Sequence, residues 1–320
     1  MNAPLYSSEY VDGAWDVIIR HLVPRLWAGP LTTGADVGPA LRAVKGHPMA
    51  KAALELAVLD AELKRSGTSL ASFLGAERRV VPAGVAVGVS GSIDDLLENV
   101  GRYVEAGYRR VKLKIGPGWD VEPVRAVRDR FGPTLALQVD ANGSYAVGDA
   151  RRLAELDRFD LLLIEQPLAE DDLLGAAELA RQIRTPLCLD ESITSAASTE
   201  LALALGACSV VNIKPGRVGG ILEARRIHDL CAARGVPVWC GGMLETGIGR
   251  AVNVALAALP GFTIPGDLSA SDRYFAPDIT EPFVLEDGCL RVPTGPGIGV
   301  TVDIDRVEAL TTARTLLPRV

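Results

Sequence analysis

From about residue 85 onward, short apolar runs alternate with amphipathic stretches in which apolar positions return every three or four residues. The runs that are typical of strands are VAVGVS, RRVKLKIG, LALQVDAN, LLLIEQPL, PLCLDES, SVVNIKP, PVWCGGM and FTIPGDLS. Segments such as GWDVEPVRAVRDRF and GGILEARRIHDLCAARG lie between them and are typical of helices. This alternation predicts an α/β fold, a TIM-type (β/α)7β barrel. An open doubly wound sheet would need a glycine-rich turn after its first strand, and VAVGVSGSIDD matches that poorly.

The hydrophobic pattern divides the chain into three parts. Residues 1–82 contain helical patterns but no convincing strand, and we predict a partial, mainly helical capping region there. Residues 83–275 carry the alternating pattern and are predicted to form the barrel, the catalytic domain. Residues 276–320 are rich in Pro and Gly and are predicted to return to the capping region.

Three neighbouring apolar runs end in an acid, at Asp140, Glu165 and Asp190, and the acids are evenly spaced along the chain. Because parallel strands of a barrel end at the same mouth, we expect these carboxylates to converge. Oxygen ligands suit hard cations, so the set predicts an Mg²⁺ or Mn²⁺ site, whereas zinc would prefer His or Cys. The alternative for any one acid is that it caps the following helix or pairs with a lysine.

Two lysines flank the acids, since Lys114 ends the strand before them and Lys214 ends the strand after them. A lysine that removes a proton must first lose its own, and burial beside a cation and another ammonium lowers a lysine pKa. Lys114 and Lys214 are placed for that. Lys112 lies two residues before Lys114, so both side chains share one face of the strand, which we predict to be the inner one. Lys112 would then position a carboxylate or tune its neighbour. The alternatives are salt bridges outside the strand for Lys112 and Lys114, and a solvated loop position for Lys214.

Polar residues beside the acids complete the predicted site. Asn142 should share the face of Asp140 and contact a substrate, unless it is only a turn residue. Gln166 and Glu191 each follow a predicted ligand by one residue, so they should face away from the lumen and support that ligand.

The composition of the chain limits the kinds of partner that it can bind. The chain of 320 residues has a net charge of −7 with both signs interspersed and no basic stripe, which argues against a nucleic-acid partner. No apolar run approaches the ~20 residues that span a bilayer, and the first residues lack the pattern of a signal peptide, so we expect no membrane partner and a cytoplasmic protein. The 5 cysteines are scattered without CxxC spacing and are predicted to be reduced thiols, mostly buried.

Six motifs, KLKIGPGWD, LQVDAN, LIEQPL, CLDES, VNIKPGRVGG and WCGGMLETGIGR, together resemble the enolase superfamily, and specifically its muconate-lactonizing subgroup. Within that subgroup the resemblance is to the N-acylamino acid racemase and o-succinylbenzoate synthase branch, over nearly the whole chain. It implies that Asp140, Glu165 and Asp190 ligate Mg²⁺ or Mn²⁺. It also implies that Lys114 and Lys214 are acid/base residues on opposite faces of a small-molecule carboxylate substrate.

The reaction implied by the resemblance is removal of a proton alpha to a carboxylate through an enediolate. The outcome would be racemisation of an N-acylamino acid, the dehydration that forms o-succinylbenzoate in menaquinone synthesis, or both. Further residues would contact the substrate: Ser90 on the first strand, Lys112, Asn142, Gly242, Met243 and Tyr274.

Other branches fit less well. Relatives that racemise mandelate carry an Asp on the sixth strand and a His on the seventh, where this chain has IKP and CGGM. Dipeptide epimerases carry an acidic pair at the end of the eighth strand, where GDLSAS has one aspartate. A dipeptide epimerase or another muconate-cycloisomerase-like activity remains as an alternative.

Members of this superfamily begin with capping-domain strands and a loop that closes over the substrate, and this sequence starts after them. We expect a start codon assigned too far downstream, the alternative being a real loss of the lid. A barrel without its lid could bind metal or ligand without turnover. Its exposed edge also allows a homo-oligomer.

Overall fold

The strands follow the predicted order along the chain. The structure, a computed structural model, describes residues 3–4, 6–29 and 33–317. The strands are β1 (Val80–Pro82), β2 (Gly84–Val87), β3 (Arg110–Lys114), β4 (Leu137–Asp140), β5 (Ile164–Glu165), β6 (Leu187–Leu189), β7 (Val210–Ile213), β8 (Val238–Cys240) and β9 (Cys289–Arg291). Strands β2 to β8 form one 7-stranded sheet in which each strand pairs with the next along the chain, in parallel. The α/β barrel class is therefore confirmed.

The eighth apolar run differs from the prediction. It forms no strand, and only isolated bridges join Phe262 to Val238 and Gly266 to Ala83. One reason is that Pro265 has no N–H group to donate to a ladder. The segment still lies between β8 and β2, because Val238 belongs to β8 and the backbone N–H of Gly84, the first residue of β2, donates to the Gly266 carbonyl at 2.7 Å.

The helices surround this sheet and build the region in front of it. They are α1 (Val11–Val17), α2 (Val23–Trp27), α3 (Val37–Leu41), α4 (Pro48–Ser66), α5 (Leu70–Leu74), α6 (Ile93–Glu105), α7 (Val121–Phe131), α8 (Ala150–Ala154), α9 (Leu173–Ala180), α10 (Ala196–Leu205), α11 (Pro215–Val218), α12 (Ile221–Ala233), α13 (Gly247–Ala257) and α14 (Ile304–Leu310). A π-helical turn, Ile18–Leu22, joins α1 to α2, and four short 3₁₀ turns cover Gly34–Asp36, Val147–Asp149, Glu155–Phe159 and Ser271–Arg273. No helix in the described ranges is both long and apolar enough to cross a membrane.

Helices α1 to α4 pack on one another, and we call them the cap; its longest member is α4. Proline at its first turn and Gly67 just after its end, with φ of 70°, fit the usual signals for the two ends of a helix. Helix α4 packs against α11 at the barrel mouth. Its buried Glu55 accepts a hydrogen bond from the backbone N–H of Leu222 at 3.1 Å, in the first turn of α12. The cap is thus attached to the segment that follows β7.

The tail after the barrel contacts the same region. Strand β9 pairs antiparallel with β1. The backbone N–H of Ile298 donates to Asp60 of α4 at 2.8 Å, and the N–H of Leu70 donates to the Gly297 carbonyl at 2.7 Å. These contacts attach the tail to α4, to α5 and to the strand that precedes the barrel sheet.

Candidate active site

A cavity of about 640 Å³ lies between the cap and the carboxyl ends of the strands. We call it the mouth cavity. Its cap side is mostly apolar, with Val11, Ala14, Ile18, Met49 and Ala53. Its barrel side carries the charged groups, among them Lys112, Lys114, Lys214 and Asp267.

Strand alternation places the charged side chains of β3. Val111 and Leu113 are buried on the helix side, whereas Arg110, Lys112 and Lys114 project to the barrel interior and its mouth. The Nζ atom of Lys112 lies 2.9 Å from Glu165 Oε2 and 3.2 Å from Asp140 Oδ2. Both lysines therefore face the lumen.

Lys112 is also held from the opposite side. Its Nζ atom lies 2.6 Å from Asp267 Oδ2, in the segment that follows β8. The other oxygen of Asp267 accepts a hydrogen bond from buried Arg110 at 2.8 Å. With three carboxylates around it, Lys112 is suited to hold charge and position carboxylates rather than to release a proton.

Lys114 lies at the open end of the same strand. Its Nζ atom donates to Asp140 Oδ2 at 2.6 Å and also contacts the Asn142 side-chain oxygen. Asn142 has a positive φ of 43°, a conformation that asparagine tolerates, and donates to Glu191 Oε1 at 2.8 Å. The side chain of Lys114 is 33% exposed, so it can reach a molecule in the cavity.

Lys214 lies on the far side of the acids, directly after β7. Its Nζ atom is 2.7 Å from Asp190 Oδ2 and donates to the Tyr6 hydroxyl at 2.5 Å. The hydroxyl of Tyr6 is 3.3 Å from the same oxygen of Asp190. Arg217 of α11 contacts the other Asp190 oxygen and donates to the carbonyls of Ile193 and Asn212. Asp190 is thus surrounded by two cations and a hydroxyl.

Burial and paired charges set the protonation of this cluster. Burial opposes the ionised form of Asp140, but the ammonium groups of Lys112 and Lys114 hold the pKa of this carboxyl below its ordinary value. Burial and the neighbouring Asp140 carboxylate raise the pKa of Glu165. Because the two carboxylates are register partners in adjacent strands, each feels the charge of the other.

The neighbours of the two buried lysines determine the direction of their pKa shifts. Burial alone would lower the pKa of Lys214, but Tyr6 and Glu165 outweigh it and raise the pKa above its ordinary value. The pKa of Lys112 is raised in the same way by Asp267, Glu165 and Asp140, against the effect of burial. The lowered pKa predicted for Lys214 was tied to a neighbouring cation, and the protein's own groups do not produce it, because Tyr6 and Glu165 outweigh desolvation.

The predicted metal ligands fit a hard divalent cation by their chemistry. Asp140, Glu165 and Asp190 are oxygen donors, fully buried at the ends of β4, β5 and β6. In the described part of the chain no three His, Cys, Asp or Glu side chains are grouped closely enough to hold a metal. Each of the three carboxylates contacts an amine or a guanidinium. The ammonium of Lys112 nevertheless lies within 3.2 Å of both Asp140 and Glu165, so these two carboxylates already converge on one positive charge.

Supporting polar residues stand beside or below the acids. The Gln166 side-chain oxygen accepts the backbone N–H of Asp190 at 3.0 Å, which fixes the direction of that residue. Glu191 does not face away from the mouth as predicted, because its carboxylate reaches Asn142 across the strand ends. Burial raises the pKa of Glu191.

Of the predicted substrate contacts, Gly242, Met243 and Tyr274 line the mouth cavity. A Cβ atom on Gly242 would lie 2.0 Å from the Asp267 carbonyl oxygen, so no larger residue fits there without a backbone shift. Ser90 is placed differently. Strand β2 ends at Val87, and Ser90 lies in the following loop, where it lines a separate cavity.

Four residues of the site were not predicted: Tyr6, Asn212, Arg217 and Asp267. Asn212 lies two residues before Lys214 and donates to Glu165 Oε1 at 2.7 Å, so strand alternation could have identified it. Asp267 lies near the end of the eighth apolar run, FTIPGDLS, so the pattern of an apolar run that ends in an acid could also have identified it. Nothing in the sequence pattern marks Tyr6 or Arg217.

The geometry agrees with comparisons to known proteins. Residues 95–307 match the family described as Enolase C-terminal domain-like. The chain is 62% identical to an N-succinylamino acid racemase of Amycolatopsis sp., over 98% of this chain and 85% of that protein. It is 49% identical to an o-succinylbenzoate synthase of Geobacillus kaustophilus, over 99% of this chain and 85% of that protein.

A solved structure is similar over the same extent. It is a member of the enolase superfamily from Listeria innocua, with a TM-score of 0.93 and 43% identity. The match covers 98% of this chain and 84% of the other. Cap and barrel are therefore both shared with a known structure.

Proposed function

This chain belongs to the enolase superfamily, and we propose that it removes a proton alpha to a carboxylate through an enediolate, as an N-acylamino acid racemase, an o-succinylbenzoate synthase or both. One observation carries the proposal. Two amines, Lys114 and Lys214, stand at opposite ends of a row of buried carboxylates, and both line the mouth cavity. A planar intermediate between them would present one face to each amine.

The two lysines would transfer the protons. In racemisation, one lysine takes the alpha proton from one face and the other returns a proton to the opposite face, and the roles reverse for the other enantiomer. In dehydration, Lys114 would take the proton and then protonate the leaving hydroxide. Lys214 would then stay charged beside the developing anion.

Asp140, Glu165 and Asp190 would hold Mg²⁺ or Mn²⁺. When bound, the cation would stabilise the negative charge that develops on the substrate carboxylate and offset the negative charge that raises the lysine pKa values. Lys112 would keep Glu165 and Asp140 in place, since it contacts both. The apolar cap side would exclude water from the reacting atoms.

Deuterium exchange tests the proposal. The protein is incubated with Mg²⁺ and either enantiomer of an N-succinylamino acid in D₂O, and loss of the alpha-proton signal is followed by NMR. We expect exchange of both enantiomers by the parent protein. Lys114→Ala should abolish exchange of one enantiomer, and Lys214→Ala should abolish exchange of the other. Lys64→Ala changes a lysine on the outside of α4, 51% exposed, and serves as the matched control.

Absence of both alpha-proton exchange and dehydration product with the metal present would overturn the enzymatic proposal. A barrel that only binds would show metal-dependent thermal stabilisation without exchange. Comparing kcat/KM for racemisation and for dehydration on the same preparation then distinguishes a racemase from a synthase.

A further inference from the structure

Glu9 holds the chain segment that carries Tyr6 against the cap. It lies three residues after Tyr6, its side chain is buried, and it lines the mouth cavity. Its carboxylate accepts the backbone N–H groups of Met49 at 2.7 Å and of Ala50 at 3.0 Å. One side chain therefore fixes the segment to the first turn of α4.

The first turn of α4 lacks a cap from its own end residue. That residue, His47, has a left-handed φ of 56° and makes no side-chain capping hydrogen bond. Pro48 has no backbone N–H, so Met49 and Ala50 present the first donors of the helix. The positive end of a helix favours a carboxylate. Glu9, 40 positions before Met49 along the chain, supplies this cap.

Helix α4 is fixed in turn to the segment that carries Lys214. Its first turn lies against α11, which begins directly after Lys214, and a Cβ atom on Gly216 would meet Met49 Cγ at 3.8 Å. Further along α4, the buried carboxylate of Glu55 accepts the backbone N–H of Leu222 at 3.1 Å. Helix α4 thus connects the segment that precedes the cap to the segment that follows β7.

The contact that this frame supports lies at the Tyr6 hydroxyl. Lys214 Nζ donates to it at 2.5 Å, and the hydroxyl lies 3.3 Å from Asp190 Oδ2. A hydrogen bond requires the two heavy atoms to stay within a narrow range of distances. The three residues from Tyr6 to Glu9 span at most about 11 Å, so the attachment of Glu9 limits how far Tyr6 can move.

We propose that Glu9 is a positioning residue, which fixes the Tyr6 hydroxyl at Lys214 by capping α4. This inference rests on the proposed function, because it concerns proton transfer at the face that Lys214 serves. The hydrogen bonds of the Glu9 carboxylate go to α4 and not to Lys214. Glu9 therefore acts on the reaction through Tyr6.

Exchange measured for each enantiomer separately tests the inference. Glu9→Ala is incubated with Mg²⁺ and either enantiomer of N-succinylalanine in D₂O, and loss of the alpha-proton signal is followed by NMR. The enantiomer that Lys214 serves is the one whose exchange Lys214→Ala abolishes. Glu9→Ala should change the exchange rate of that enantiomer in the same direction as Tyr6→Phe and by about 10–150-fold, the range for one hydrogen bond to a charged group. The exchange rate of the other enantiomer should change little.

A double variant separates positioning from a general effect on the fold. If Glu9 acts through the Tyr6 hydroxyl, adding Glu9→Ala to Tyr6→Phe should change neither rate further, whereas independent effects would multiply. Glu9→Gln keeps one acceptor oxygen for the two N–H groups, so it should give a smaller change than Glu9→Ala. It also reports the result if Glu9→Ala fails to fold.

Glu62→Ala is the matched control. Glu62 is another carboxylate of the cap that accepts a backbone N–H, that of Gly34 at 2.7 Å, but it lies outside the described lining of the mouth cavity. Its removal should leave both exchange rates unchanged, even where it lowers Tm.

No change in Glu9→Ala, equal changes for both enantiomers, or effects that multiply with those of Tyr6→Phe would overturn the inference and leave Glu9 a structural role. A crystal structure of Glu9→Ala needs no turnover. The Tyr6 hydroxyl should have moved out of hydrogen-bond distance of Lys214, and an unmoved hydroxyl would also overturn the inference. Failure of the proposed function is a separate result: neither enantiomer would exchange in the parent protein, while the position of Tyr6 in the crystal would still decide the role of Glu9.

Discussion

The hydroxyl of Tyr6 offers a selective way to perturb one of the two amines. Tyr6→Phe removes one oxygen atom and keeps the ring, which lies 4.8 Å from the Lys214 ammonium. The hydroxyl accepts a hydrogen bond from Lys214 Nζ at 2.5 Å and lies 3.3 Å from Asp190 Oδ2. Lys114 makes no contact with Tyr6 in the described part of the chain. The substitution should therefore affect one face of the intermediate.

The expected magnitude follows from this geometry. A hydrogen bond to a charged group contributes about 1.5–3 kcal/mol. Lys214 keeps its contact with Asp190 at 2.7 Å, so its charge and approximate position should persist. Because the hydroxyl stabilises the ammonium form, its loss should lower the pKa of Lys214 and also remove one of the contacts that position the amine. An effect within that range corresponds to a change of roughly 10–150-fold in the rate of proton transfer through Lys214.

The assay follows exchange of each enantiomer separately in D₂O. For Tyr6→Phe we expect the exchange rate of one enantiomer to change within that range and the exchange rate of the other to change little. Tyr10→Phe removes a hydroxyl from another tyrosine of the mouth cavity that makes no hydrogen bond to Lys214 in the described ranges, and it should affect neither enantiomer. Equal changes for both enantiomers in Tyr6→Phe, or no change, would refute a role for this hydroxyl at Lys214.

Three further predictions concern the frame of the site. Gly241→Ala would place a Cβ atom 2.4 Å from Asn212 Oδ1 and 2.5 Å from Lys214 Cε. We therefore expect at least a ~10-fold loss of exchange at the face that Lys214 serves. Gly38→Ala is the control, because a Cβ atom there would meet nothing within 4 Å. Burial raises the pKa of Glu55 above the ordinary value of 4.5, so the contribution of this residue to stability is complete below that value and decreases as the pH rises through the folded-state pKa. In chemical denaturation, the free energy of unfolding of Glu55→Gln should therefore increase relative to that of the parent protein as the pH rises. The same pH dependence in both proteins would contradict this. Removal of divalent cations by EDTA should abolish exchange and lower Tm, and Mg²⁺ should restore both, whereas a Tm that does not depend on the cation would speak against the proposed ligands.

The strand-end chemistry could be predicted because it depends on local periodicity. Alternation of side chains along β3 brings Lys112 and Lys114 to one face, and the shared mouth of a parallel barrel brings Asp140, Glu165 and Asp190 to one side. Each of these statements needs only the pattern within a run and the order of the runs. The roles of these residues remain predictions until exchange is measured.

Residues that reach the site from elsewhere could not be found in this way. Tyr6 is separated from Lys214 by 208 positions, and only the packing of the cap on the barrel brings them together. Asp267 was overlooked for a local reason, since Pro265 and Gly266 interrupt the strand pattern before it. The direction of the Lys214 pKa shift could not be predicted from burial alone, because it depends on the groups that the fold places around the ammonium.

The two amines differ in ways that explain how one site could support two reactions. Lys114 is 33% exposed and its charged partner is Asp140, whereas Lys214 is 6% exposed and is enclosed by Asp190, Tyr6 and the cap. Dehydration needs proton transfer only at Lys114, with Lys214 serving as a fixed charge. Racemisation needs Lys214 to release and regain a proton as well. Because the surroundings of Lys214 determine how readily it does so, perturbing them should change the rate of racemisation more than the rate of dehydration, and the ratio of the two activities in Tyr6→Phe measures that difference.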